Sequence, residues 1–111
     1  MDRTERYRTI IKELLTEVAG YTPSTEEVRT ELIFDDEHGH YQICFVGWEK
    51  EERVHNVMMH FDLIDGKIWV QENATDIEVS WDLLRAGVPL DHIVAGLVSP
   101  YMRQYSDFAV A

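Results

Sequence analysis

Asp65-Gly66 lies between two stretches of alternating polar and apolar residues, and this dipeptide restricts the fold more than any other feature of the chain. A two-residue turn of the I′ type needs positive φ at both central positions, which Asp and Gly tolerate. It therefore predicts a hairpin, with a long strand over 53–64 that has room for a bulge and a returning strand over 67–71. The turn fixes the pairing: Ile64 with Lys67, Leu63 with Ile68, Asp62 with Trp69, Phe61 with Val70, His60 with Gln71. Successive side chains point to opposite faces of a strand. One face then carries Phe61, Leu63, Ile68 and Val70, an apolar set suited to a core. The other carries His60, Asp62, Trp69 and Gln71, where two polar groups, an indole and an amide meet.

The rest of the chain is organised around that hairpin. Tyr7, Ile10, Ile11, Leu14, Leu15 and Val18 form one stripe at helical spacing and predict an N-terminal helix. Gly20 suits a left-handed cap there, and Pro23 stops any continuation. Two further strands alternate around Val28–Phe34 and Tyr41–Val46, joined by the polar turn Asp35-Asp36-Glu37-His38-Gly39. Thr75-Asp76-Ile77-Glu78 has the spacing of a capping box ahead of a helix through Val79, Trp81, Leu83 and Leu84, closed by Gly87. Asp91, Ile93, Val94 and Leu97 suggest a second short helix, and Ser99-Pro100 breaks it. The tail from Tyr101 to Ala111 has no clear period. With 111 residues, 45% of them hydrophobic, the chain is one domain's worth, residues 1–111, with material for a single core. The expected class is α+β: an N-terminal helix, a four-stranded antiparallel β-meander, two C-terminal helices and an irregular tail.

Charge narrows the function. Ten Lys and Arg face twenty-one Asp and Glu, a net charge of −11. Such a field repels phosphate, so direct nucleic-acid contact and binding to anionic membranes are disfavoured. Arg3, Arg6, Arg8 and Lys12 cluster on the first helix, but Glu5, Glu13 and Glu17 interleave with them, as on a solvated helix face. The single cysteine, Cys44, excludes an internal disulfide and fits a reducing compartment. Its strand has apolar neighbours, which suits a packing residue rather than a nucleophile. The charged start Met1-Asp2-Arg3 has no apolar signal region, and no apolar run approaches the ~18 residues of a membrane span. A cytoplasmic protein is expected.

Several of these residues also carry a resemblance. His60-Phe61-Asp62-Leu63, Asp65-Gly66-Lys67-Ile68-Trp69-Val70-Gln71, Gly87-Val88-Pro89 and Asp91-His92-Ile93-Val94 resemble the XisI family, the fdxN element excision controlling factor proteins, mostly cyanobacterial. Pro100, Arg103 and the ending Asp107-Phe108-Ala109-Val110-Ala111 do so too, and the opening helix and Gly47-Trp48 match in position. Leu90 and Leu97-Val98-Ser99 depart from the pattern. The resemblance implies a regulatory protein that controls excision of a DNA element together with an XisH-like protein and a site-specific recombinase. It supplies no catalytic residues.

The candidate sites are few. His60 and Asp62, two apart on one strand face, could serve acid–base or metal chemistry as a metal-dependent hydrolase or nuclease. Two ligands are too few for a structural zinc site, and Cys44 does not complete one. The simpler expectation is a polar cluster in an interaction face of His60, Asp62, Trp69 and Gln71, with no catalytic, cofactor or metal residues assigned. Asp35, Asp36, His38 and His40 form a second candidate cation site, although turn geometry alone accounts for most of them. Trp48, Trp69 and Trp81 are candidate contact residues, since interface hot spots favour Trp. The expected function is non-enzymatic regulation through protein partners, with homodimerisation through the His60 face or a sheet edge. Direct DNA binding is the alternative.

Overall fold

The structure, a computed structural model, describes residues 2–111. Helix α1 spans Arg3–Ala19. Asp2 caps it, its carboxylate accepting the Glu5 N–H at 2.8 Å. Tyr7, Ile11, Leu14, Leu15 and Val18 are buried, the stripe set by the sequence period. Gly20 is right-handed, not left-handed. The helix ends instead by tightening: Tyr21 and Thr22 donate three residues back, to Val18 and Ala19.

Four antiparallel strands follow: β1 Val28–Asp35, β2 His40–Glu49, β3 Glu52–Ile64 and β4 Lys67–Asn73. The β3–β4 turn has φ of 51° at Asp65 and 75° at Gly66, the I′ geometry required by that dipeptide. Two bulges interrupt the ladders. Met58 is an extra residue in β3 opposite β2, and Gln71 an extra residue in β4 opposite β3. His60 consequently pairs with Glu72, not with Gln71 as uniform register requires.

The sheet has a fifth strand. Ile93–Ala95 forms β5, parallel to β4, with Ile68 opposite Ile93 and Val70 opposite Ala95. The expected helix around Ile93 and Val94 is absent. Only a 3-10 turn, Leu90–His92, precedes the strand. Helical spacing over so few residues is ambiguous, and the β-branched pair Ile93-Val94 favours extended chain beside an open sheet edge. The meander is therefore extended into a mixed sheet. The β4–β5 connection contains helix α2, Val79–Arg85, which gives the long crossover that parallel pairing needs.

Helix α2 starts at Val79 with no side-chain cap, so Thr75 is not its N-cap. The Thr75 hydroxyl instead accepts the Ile77 N–H at 3.1 Å in a local turn. The other end matches expectation. Gly87 has φ of 102°, and the N–H groups of Gly87 and Val88 bond Leu84 and Leu83 in a Schellman motif. A final four-residue helix, α3, covers Pro100–Arg103.

One core joins α1 and α2 to one side of the sheet. Tyr7, Ile11 and Leu15 pack with Tyr41, Ile43, Met59, Phe61, Ile68 and Val70, and with Val79 and Leu83. Leu63 packs partly against the same cluster. The predicted apolar face of the hairpin is thus the one the helices cover. On the opposite face large apolar side chains stand in solvent, among them Ile33, Trp48 and Ile64. Among the described residues no helix is long and apolar enough to cross a membrane.

Candidate functional site

Strand pairing aligns one row of residues across the whole sheet. Asp35 is opposite His40, His40 opposite Asp62, Asp62 opposite Trp69, and Trp69 opposite Val94. Paired residues share a face, here the one away from α1. His60 and the bulged Gln71 enter the same face beside this row.

Asp62 is the centre. It is the buried charged residue of the described chain, 8% exposed. Its Oδ1 accepts from His40 Nδ1 and from His60 Nε2, each at 2.7 Å. Its Oδ2 accepts from Gln71 Nε2 at 3.1 Å. Burial pushes the Asp62 carboxyl upward, but the bonds from His40, His60 and Gln71 outweigh it and hold the group below the usual carboxylate range. The bond to Asp62 raises His40 above an ordinary imidazole, against some desolvation. His38 stacks on His40 with centroids 6.4 Å apart, and His40 meets His60 edge-on at 6.2 Å.

A second layer fixes these groups. Gly96, just beyond β5, leaves the space that Gln71 occupies: a Cβ there would lie 2.4 Å from Gln71 Oε1. Arg103 places its guanidinium 5.1 Å from the Trp69 ring centroid. The same guanidinium donates to the carbonyls of Ala95, Gly96 and Val98 at 2.9–3.4 Å. Trp69 is therefore tied to the C-terminal segment rather than free.

The four residues His60, Asp62, Trp69 and Gln71 do share a face, as expected. The second candidate group is dispersed. Asp35 pairs with His38 at 2.9 Å. Asp36 turns towards α1, taking Lys12 at 2.7 Å, Arg8 at 3.6 Å and the Tyr41 hydroxyl at 3.0 Å. Only His40 joins the Asp62 cluster. Arg3 donates to the Gly66 carbonyl, so three of the four basic residues of α1 are engaged within the chain. Cys44 is half-buried on β2, its thiol donating to Gln42 Oε1 at 3.3 Å, and burial raises its pKa. Trp81 is exposed on α2, remote in sequence from the row. Sequence reasoning missed His40, Gly96 and Arg103 as parts of one arrangement.

The class defined is α+β: a mixed five-stranded sheet with helices on one side and a polar cluster on the bare side. The chain belongs to the XisI family, whose model, "XisI protein", matches residues 1–110. Two solved structures are similar over their full length. One is an XisI-like protein from Anabaena variabilis ATCC 29413, with 44% identity and a TM-score of 0.94, covering 97% of this chain and 99% of that one. The other is the fdxN element excision controlling factor XisI from the same organism, with 29% identity and a TM-score of 0.90, covering 99% of this chain and all of that one. No functionally curated protein matches this sequence.

Proposed function

We propose that this chain is a regulatory factor in the excision of a DNA element, working in the cytoplasm through contacts with other proteins and catalysing no reaction itself. Family membership over nearly the whole chain carries this reading. The bare sheet face supports a contact role. It presents Ile33 and Ile64 near the His40–Asp62–Trp69 row and Trp48, 53% exposed, at the far end of β2. The partners we propose are an XisH-like protein, a site-specific recombinase complex and a second copy of the chain.

Direct DNA binding is less well supported. The net charge is −11, and Arg3, Arg8 and Lys12 already have partners within the chain. The test is affinity purification of the tagged chain from its native cell, paired with a mobility-shift assay on the element's ends. Recovery of an XisH-like protein or recombinase, lost on Trp48→Asp, supports the reading. A salt-sensitive shift by the isolated chain at micromolar concentration, with no protein recovered, refutes it.

A further inference from the structure

Three donor atoms from two neighbouring strands converge on the bare face. One ligand atom from each of His40, His60 and Asp62 lies within 4.8 Å of the others, and His40 Nδ1 and His60 Nε2 are each 2.7 Å from Asp62 Oδ1. We propose that His40, His60 and Asp62 bind one divalent transition-metal ion of the zinc class. From the sequence, His60 and Asp62 supply two ligands, too few for a structural zinc site. The third ligand comes from β2, across the ladder.

The geometry suits the ion. Zinc bonds imidazole nitrogen and carboxylate oxygen at about 2.0–2.2 Å, which places tetrahedral ligand atoms roughly 3.3 Å apart. The 2.7 Å pairs are shorter than that spacing, so the ion would replace both N–H···O bonds, each ligating nitrogen losing its proton. Two imidazoles and one carboxylate select transition ions over Mg²⁺ or Ca²⁺, which prefer all-oxygen shells. Adjacent paired strands hold the ligands, and Gln71 orients the carboxylate through its free oxygen, as outer-shell partners of metal sites do. Side-chain exposure falls from 51% at His40 to 26% at His60 and 11% at Asp62. The ion would therefore rest on the buried carboxylate and face solvent on the His40 side. Three protein ligands leave at least one position for water or a group from outside, the pattern of exchangeable rather than closed structural sites. The strongly negative chain also concentrates cations around itself.

This inference does not depend on the regulatory reading, because ion binding is measured on the isolated chain. The full-length protein, stripped with a chelator and dialysed, is titrated with Zn²⁺ by calorimetry and with Co²⁺ by visible absorption. The expected result is one ion per chain and Co²⁺ bands of a site with nitrogen ligands. His40→Ala and His60→Ala should each weaken Zn²⁺ by more than about a hundredfold, since even outer-shell losses cost about 10–100-fold. Gln71→Ala should fall within that lower range, and His55→Ala, on the same strand but outside the cluster, should change nothing. Circular dichroism checks that each variant folds; His40 is exposed enough that its loss spares the core. Absence of stoichiometric binding, or binding that survives His40→Ala and His60→Ala, overturns the proposal.

Discussion

Gly96→Ala isolates the support that holds Asp62 in place. Gly96 is not among the residues with positive φ, so alanine is compatible with its backbone. On conformational entropy alone the change would stabilise by about 0.4–1 kcal/mol. The structure reverses that sign. The new Cβ would lie 2.4 Å from Gln71 Oε1, 3.1 Å from its Cδ and 3.2 Å from Trp69 Cε3. Restoring ordinary contact moves the Gln71 amide by roughly 1 Å, which stretches its 3.1 Å bond to Asp62 beyond hydrogen-bonding range. A hydrogen bond to a charged group contributes about 1.5–3 kcal/mol, and water can replace part of it at half-buried Gln71, leaving a net loss of about 1–2 kcal/mol. For a domain of this size that lowers the melting midpoint by about 4–8 °C. The measurement is calorimetric melting of four proteins: wild type, Gly96→Ala, Gln71→Ala and the double variant. If the damage runs through Gln71, Gly96→Ala costs clearly more in the wild type than in the Gln71→Ala background, where only the 3.2 Å contact with Trp69 Cε3 remains. A melting point unchanged in Gly96→Ala, or equal losses in both backgrounds, would falsify the reasoning.

Two further outcomes follow from local electrostatics. The hydrogen bond from Lys12 lowers the Asp36 carboxyl against the opposing effect of burial, with help from the Tyr41 hydroxyl and the Lys12 and Arg8 charges. The contribution to stability is thus present above the unfolded carboxyl pKa of about 3.9 and lost as pH falls through the lower folded value. Carbon-detected NMR should place the Asp36 midpoint below that of a free aspartate, and Lys12→Ala should move it upward; an unmoved midpoint contradicts the pairing. Burial, and secondarily the charge of Glu31, raises the Cys44 thiol. Alkylation at neutral pH should therefore run slower than for glutathione, since the thiolate is the reacting form; an equal or faster rate refutes the assignment of Cys44 as a packing residue.

How much of the site was legible depends on register. Asp65-Gly66 fixes four hairpin pairs correctly, from Ile64 with Lys67 to Phe61 with Val70, because turn geometry propagates along a regular ladder. The fifth pair fails at Gln71, where nothing in the local composition signals an extra residue. The same limit hid His40. In sequence it adjoins Asp35, Asp36 and His38, and proximity groups it with them. Its true neighbour is set by the β2–β3 ladder, which starts with Glu49 opposite Glu52. Carried back without interruption, that register would set His40 against Phe61, a core residue of the helix-covered face. The extra residue Met58 shifts the pairing by one, so that His40 meets Asp62 while Tyr41 meets Phe61. A one-residue shift changes which face each side chain shares. The bulge thus leaves Met58 and Met59 together in the core, and the same shift brings the second imidazole onto the buried carboxylate. The polar cluster is a consequence of long-range pairing, which is why its members were visible one by one in the sequence while their convergence was not.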